Sequence, residues 1–315
     1  MLRQLGEADP GVDRQVSGAG EHHAREVMAL GVLAITWAAI LVRWADAPPL
    51  SIAFWRMALA TACLGAFCAA ARIRFWRSWR RIDWWTGAAA ALLLALHFAF
   101  WISSLEYTSV AASVVLVSTQ PVFVAILGRA FLRERPSRSA WTGIGLAIVG
   151  TGVIVGADLA LDRRALLGDA LALLGALWIS GYYVLAKFLR TTKDLIPYVV
   201  VIYGFTAIWL LLGALTSGVD LAAGGASTWA ALAGLALGPT ILGHSAMNYA
   251  LRYMPAFQVN VAILGEPVGA ALWAALLLSE KPEAGTWVGG ALVLAGIFLT
   301  LERRAVRDEV AAANL

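Results

Sequence analysis

Long apolar runs are the feature of this sequence that most restricts its fold. A helix needs about 20 consecutive apolar residues to cross the hydrocarbon core of a bilayer. Runs near this length lie at residues 27–44, 50–71, 84–104, 109–131, 140–157, 165–188, 195–216, 228–250, 256–279 and 286–301. They predict an all-α integral membrane protein with ten transmembrane helices, called spans 1 to 10 in chain order below.

The composition excludes the other broad classes of protein. Hydrophobic residues make up 60% of the chain and charged residues 14%, against about 45–50% and about 25% in soluble domains. A soluble protein of this length could not bury so much apolar surface, so a soluble enzyme and a disordered chain are both excluded. The sequence holds no P-loop or zinc-binding motif, and its two cysteines lie in one span. We therefore expect no catalytic residue, no cofactor and no metal site.

Basic residues fall mostly on one side of the predicted membrane. Of the 24 Lys and Arg residues, 18 lie in the tails or in loops on the side of the N-terminus, and four lie on the opposite side. Cytoplasmic loops are enriched in basic residues, so both termini are expected in the cytoplasm, with the protein in a bacterial-type inner membrane. Residues 1–25 and 302–315 are interpreted as flexible cytoplasmic tails. This distribution explains the net charge of +4 without a nucleic-acid partner.

An internal repeat relates the two halves of the chain. Residues 105–150 align without a gap to residues 251–296, at a constant offset of 146 residues and with 13 identities in 46 positions. The identical pairs include two prolines, Pro121 and Pro267, together with glutamates, tryptophans and glycines in register. Chance alignment of two apolar helices does not give such matches. The repeat predicts a first half at residues 27–157 and a second half at 165–301.

The number of spans in each half makes this repeat inverted. Five is odd, so the second half enters the membrane in the opposite direction from the first. Inverted repeats build secondary transporters, whose substrate sites lie near the membrane midplane at interrupted helices. Pro121 and Pro267 each lie within the fourth span of their half. We interpret them as kinks or gate hinges, two roles that do not exclude one another.

The halves resemble a known family. Each has a proline in its fourth span, a Glu-basic-Pro loop at 134–136 or 280–282, and a glycine-rich last span. This arrangement is similar to two EamA domains of the drug/metabolite transporter superfamily, and the similarity covers residues 27–301. The first half departs from the pattern, because Gln120 stands where the second half has Glu266. The resemblance implies a ten-helix exporter of small metabolites, and the tryptophan-rich spans are similar to those of an aromatic amino-acid exporter.

Polar side chains deep in the spans are the candidate site residues. An ionisable group there costs about 2.5–3.5 kcal/mol on insertion scales, so each needs a role. Glu266 is a candidate proton carrier, a contact for a substrate amine, or a structural ion pair. Three pairs spaced four residues apart combine aromatic and polar groups, and Trp37 lies at similar depth. The candidate substrate-binding residues are Trp37, His97, Trp101, Gln120, Trp178, Tyr182, His244, Asn248 and Glu266.

Structural roles remain the alternative for several of these residues. Aromatic stripes are also typical of packing, and polar pairs such as His244 and Asn248 also hydrogen-bond between helices. Arg56, in the outer third of span 2, is expected to snorkel or to pair with an acid such as Asp46 or Glu106. Glycine pairs four residues apart, at 152 and 156, 234 and 238, and 285 and 289, predict close helix packing or a dimer contact.

These features together predict a secondary transporter that works by alternating access around a cavity lined by spans 1, 3, 4, 6, 8 and 9. The expected cargo is a small amphipathic metabolite, with aromatic and other hydrophobic amino acids first, moved outward by a monomer. Export of cationic drugs is the alternative within this class. A membrane-embedded enzyme and a non-transporting receptor are the alternatives of other classes, and a dimer is the alternative assembly. The expected partners are the small-molecule substrate and the lipid bilayer.

Overall fold

The computed structural model describes residues 13–134, 136–158, 163–279, 284–285, 287–296 and 298–299. Every regular element in these ranges is a helix. Spans 2, 3, 6 and 7 are continuous helices at Pro49–Ala70, Arg81–Ser104, Arg163–Arg190 and Leu195–Thr216. A short 3-10 helix, Phe75–Ser78, lies in the loop between spans 2 and 3.

Four spans are interrupted near their middle. Span 1 consists of Asp13–Ile35 and Ala38–Trp44, and span 4 of Val110–Val117, Gln120–Leu127 and the π-helix Gly128–Leu132. Span 8 consists of Ala226–Leu235, the π-helix Ala236–His244 and Ser245–Ala250. Span 9 consists of Ala256–Ala262, the 3-10 turn Ile263–Gly265 and Glu266–Leu277. Span 5 is the helix Arg138–Asp158, and span 10 is described over Trp287–Gly296.

Eight helices in the described ranges are long and apolar enough to cross a bilayer, and they are spans 1 to 4 and 6 to 9. Helices also occupy the positions predicted for spans 5 and 10, while the total of ten remains a prediction. The lateral surface exposes large apolar side chains such as Leu33, Phe131 and Leu276, whereas polar side chains such as Arg56 and Asn248 are fully buried. This distribution suits a bundle whose outer solvent is lipid.

The helix boundaries repeat with the offset found in the sequence. Adding 146 to both ends of span 2, Pro49–Ala70, gives both ends of span 7, Leu195–Thr216. The same offset relates Gln120 to Glu266, which begin the second segments of spans 4 and 9. Each matched proline is the second residue of its segment, where a missing backbone N–H leaves no intrahelical bond unmade. Each proline therefore lies at the start of the second helix segment of its interrupted span.

Spans 4 and 9 cross as an inverted pair. The first segment of each span packs against the second segment of the other, as a twofold axis in the membrane plane requires. The two halves are thus joined at the helix interruptions, and Gln120 and Glu266 both lie at this crossing.

Spans 5 and 10 also meet through residues matched by the repeat. A Cβ atom added to Gly150 would lie 2.6 Å from the carbonyl oxygen of Gly289, and Gly296 lies equally tightly against the Gly143 backbone. The sequence analysis had assigned close packing to glycines four residues apart. Gly152 makes no such contact within the chain, because no atom of the described residues lies within 4 Å of a Cβ placed there.

Candidate functional site

A small cavity lies where the interrupted helices meet. Its volume is about 30 Å³, which is space for about two water molecules. Its walls come from spans 1, 3, 4, 6, 8 and 9, the six spans expected from the sequence. The lining residues are Ile35, Ala38, His97, Trp101, Val117, Gln120, Ile179, Tyr183, His244, Ile263 and Glu266.

The cavity lies on the pseudo-twofold axis. Gln120 and Glu266 are related by the repeat, and so are the apolar lining residues Val117 and Ile263. Glu266 is the first residue of a helical segment, where the backbone N–H groups present a partial positive charge that favours an anion. At equivalent positions, the first half therefore contributes an amide side chain to the cavity wall and the second half contributes a carboxyl group.

His97 is held in place by span 6. Its Nδ1 lies 3.0 Å from the carbonyl oxygen of Gly175. A carbonyl oxygen can only accept, so Nδ1 carries the hydrogen, and in the neutral ring Nε2 is left as an acceptor. The absence of a side chain at Gly175 allows this approach, since a Cβ there would lie 3.3 Å from that of Trp101. The rings of His97 and Trp101 are parallel, with centroids 6.0 Å apart.

Several polar atoms in the cavity wall have no protein partner. Trp101 Nε1, the Tyr183 hydroxyl and His244 Nδ1 are buried without a hydrogen bond in the described part of the chain. Buried polar groups without partners are rare in folded proteins, and each requires an explanation. All three belong to residues that line the cavity.

Four predicted site residues do not line this cavity. The Tyr182 hydroxyl donates to Asn248 Oδ1 at 2.8 Å, and Asn248 also bonds the His244 carbonyl oxygen. Trp37 packs against Trp273 with ring centroids 4.3 Å apart. Trp178 lies 6.5 Å from the ring of Phe100, centroid to centroid. In this conformation the four side chains therefore contact neighbouring residues and do not line the cavity.

Tyr183 is the polar lining residue that the sequence analysis missed, beside five apolar ones. The helical spacing from Trp178 favoured its neighbour Tyr182 instead. The repeat contained the signal, because adding the offset of 146 residues to Trp37 gives Tyr183. Extending the aligned region from spans 4 and 5 back to span 1 would have identified it.

The contacts of Arg56 differ from those expected from the sequence. The expected pairing with Asp46 or Glu106 was wrong, because Arg56 is 0% exposed and its Nε and Nη2 donate to Thr240 Oγ1 at 3.1 and 3.0 Å. Its guanidinium lies 4.1 Å from the ring centroid of Phe98. Thr240 belongs to the π-helix of span 8. A π-helix departs from the 3.6-residue period of an α-helix, so the sequence pattern does not predict that the Thr240 hydroxyl points inward.

Comparison with known proteins identifies the family. The model of the EamA-like transporter family matches residues 27–156 and 166–302. The chain belongs to this family. It is a multi-pass membrane protein with two EamA segments.

Known relatives carry the same general description. An uncharacterized transporter of Archaeoglobus fulgidus is 27% identical over 88% of this chain and 97% of its own length. The uncharacterized transporter YxxF of Bacillus subtilis is 25% identical over 84% of this chain and 85% of its own length. A solved structure described only as the crystal structure of a protein has a TM-score of 0.72 at 18% identity, covering 90% of this chain and 99% of that one. These comparisons establish transport and the fold, and they do not support identity with the aromatic amino-acid exporter YddG.

Proposed function

We propose that this protein exports small amphipathic metabolites, with aromatic and hydrophobic amino acids first, by alternating access. The observation that carries this proposal is the cavity at the crossing of spans 4 and 9, lined by both repeats. Its walls combine the aromatic ring of Trp101 with polar side chains, and among these Glu266 can bind the ammonium group of an amino acid. The protein is proposed to act as a monomer in a bacterial-type inner membrane, with both termini in the cytoplasm.

The cavity is too small for the proposed substrate, so transport requires a change of conformation. A volume of about 30 Å³ cannot hold an amino acid, so the walls must separate to admit one. The interruptions at 118–119 in span 4 and 263–265 in span 9 are the points where the backbone ladder is already broken. Rocking of the halves about these points opens the cavity to one side and then to the other.

Transport by the purified protein tests this proposal. Proteoliposomes are preloaded with labelled phenylalanine, labelled threonine or a cationic dye, and efflux is compared with that from protein-free liposomes. Phenylalanine is expected to leave faster than in the protein-free control and faster than threonine. Faster efflux of the dye alone would favour the drug-export alternative. No efflux above the control for any compound would overturn export of both classes.

The Trp101→Ala variant tests the aromatic wall of the cavity. Loss of one aromatic contact is expected to lower kcat/KM for phenylalanine about 2- to 13-fold, the equivalent of about 0.5–1.5 kcal/mol. Trp85→Ala is the matched control, because Trp85 is 67% exposed on the lateral surface. Equal phenylalanine efflux in the two variants would contradict a cavity role for Trp101.

A further inference from the structure

Arg56 is a buried cation without a counter-ion at hydrogen-bonding distance. Its Nη1 is buried and has no hydrogen-bond partner among the residues described. Within the same residues, no carboxylate oxygen lies within 4.0 Å of the guanidinium. The acid with which it interacts electrostatically is Glu266, at a longer distance. A buried charge of this kind is costly unless an anion pairs with it.

The fold itself does not require this charge. The repeat relates Arg56 to Ile202, and it relates Glu266 to Gln120. Each ionisable side chain is therefore present in one half only. The residue at the equivalent helix position of the other half is uncharged. These groups add polarity to the region between the halves, with the guanidinium from span 2 and the carboxyl group from span 9.

The surroundings of Arg56 lie directly behind the cavity wall. Phe98 covers the guanidinium at 4.1 Å and meets the ring of His244 edge to face at 5.3 Å. His244 lines the cavity, and Thr240, which holds Arg56, lies one helical turn before it in the same π-helix. The Phe98 ring therefore lies between the guanidinium and the ring of His244 in the cavity wall.

We propose that Arg56, held by Thr240, is the carboxylate-binding residue of the transport site, and that Glu266 binds the ammonium group of the same substrate. The inference rests on the proposed function and deepens it. Substrates are then zwitterions with an apolar side chain, because an opposite charge at each end of the ligand matches the fixed charges of the protein. A free organic cation leaves Arg56 unpaired, and a free carboxylate leaves Glu266 unpaired.

Competition against labelled phenylalanine tests the charge requirement on the wild-type protein. Phenylalaninamide keeps the ammonium group and lacks the carboxylate, whereas N-acetylphenylalanine keeps the carboxylate and lacks the ammonium. Each is expected to compete about 10- to 150-fold more weakly than unlabelled phenylalanine, the effect of losing one hydrogen bond to a charged group. Phenylalaninamide that competes as well as phenylalanine would overturn the carboxylate site while leaving transport intact.

Variants assign the two ends of the ligand. Arg56→Gln is expected to abolish competition by N-acetylphenylalanine and to leave competition by phenylalaninamide unchanged, and Glu266→Gln is expected to do the reverse. Thr240→Val, which removes the acceptor that holds the guanidinium, is expected to weaken N-acetylphenylalanine selectively. Arg43→Gln is the matched control, because Arg43 is an exposed arginine at the outer end of span 1.

The outcomes separate this inference from the proposed function. Equal losses for both analogues in Arg56→Gln would show that Arg56 only supports the helices, and the carboxylate site would be rejected. If Arg56→Gln does not fold, Thr240→Val decides the assignment: equal losses for both analogues in that variant would reject Arg56 as the carboxylate site. If the wild-type protein does not transport phenylalanine at all, the proposed function fails, and the assignment of Arg56 fails with it.

Discussion

Two adjacent tyrosines in span 6 have opposite hydrogen-bonding environments. Tyr182 donates to Asn248 and accepts from Tyr198 at 3.3 Å. The Tyr183 hydroxyl lies in the cavity wall and has no partner in the described part of the chain. Since both side chains are fully buried, the difference arises from their neighbours and not from exposure.

This difference predicts different effects of removing each hydroxyl. Tyr182→Phe leaves Asn248 Oδ1 without its donor and is expected to lower the free energy of unfolding by about 1–2 kcal/mol. Tyr183→Phe removes a group that is unpaired in the empty cavity, so stability should be unchanged while phenylalanine affinity falls. Unfolding in mixed detergent and phenylalanine competition measure the two quantities. An equal loss of stability in both variants would contradict the assignment.

The sequence predicted the cavity at residue scale only in part, for a physical reason. Helical spacing places residues on one face of a helix, and it correctly grouped His97 with Trp101. It does not say which neighbouring helix that face meets. Tyr182 was therefore chosen in place of Tyr183, and the contact of Arg56 with Thr240 depends on a π-helix that has no periodic signal.

Glycines determine how closely the last spans of the two halves approach. Gly150→Val would place a Cβ 2.6 Å from the Gly289 carbonyl oxygen, so spans 5 and 10 must move apart. Overpacking of this kind is expected to cost about 1–3 kcal/mol of unfolding free energy. Gly152→Val on the same helix is the matched control, because no described atom lies within 4 Å of its Cβ position. Equal unfolding midpoints for the two variants would show that spans 5 and 10 do not meet at Gly150.

Glu134, from the Glu-basic-Pro loop, joins the first half to the start of span 9. Its Oε1 accepts a hydrogen bond from the N–H of Ala256 at 2.8 Å, and its Oε2 from that of Phe257 at 3.5 Å. These N–H groups are unsatisfied within the helix itself, and the helix dipole favours a carboxylate beside them. The loop glutamate of the first repeat thus caps the N-terminus of a helix in the second repeat.

Removal of this carboxylate is expected to destabilise the contact between the halves. Glu134→Ala should lower the free energy of unfolding by about 1 kcal/mol, as for other lost helix caps. Glu134→Gln should lose less, because its amide oxygen still accepts a hydrogen bond. Arg138→Ala, an exposed change just after the same loop, is the control, and a loss of the same size there would count against a capping role. Unfolding curves in mixed detergent measure all three variants.

At this scale the sequence predicted the interruptions of spans 4 and 9 but not their form, and it did not predict those of spans 1 and 8. Pro121 and Pro267 were interpreted as kinks or hinges, since a proline inside a helix removes one hydrogen bond. In the structure each lies at the start of a segment. Only the three-dimensional crossing of spans 4 and 9 shows that these starts coincide at one cavity.

At the scale of the whole molecule, the offset of 146 residues connects sequence, fold and site. The same offset relates the ends of spans 2 and 7 and the lining residues Gln120 and Glu266. The repeat could be recognised from sequence because helix boundaries and packing contacts constrain residue type. Glu266 was a candidate from the sequence alone, whereas the position of Arg56 behind the cavity wall could not be inferred from the repeat, which relates it to the uncharged Ile202.

The inverted repeat predicts that equivalent loops lie on opposite sides of the membrane. Arg77 lies in the loop between spans 2 and 3, and Asp220 in the equivalent loop between spans 7 and 8; both are exposed. With Cys63 and Cys68 replaced by serine, Asp220→Cys should react with an impermeant thiol reagent in intact cells. Arg77→Cys should react only after permeabilisation, because its arginine-rich loop is expected in the cytoplasm.

The labelling pattern distinguishes two ways in which this topology could fail. Labelling of both positions from the same side would contradict the inversion, because an odd number of spans per half requires opposite sides. Labelling of Arg77→Cys from outside and of Asp220→Cys only after permeabilisation would keep the inversion and reverse the orientation. In that case the cavity and its two charges would stand, while the direction of export, which depends on the side that faces the cytoplasm, would have to be assigned again.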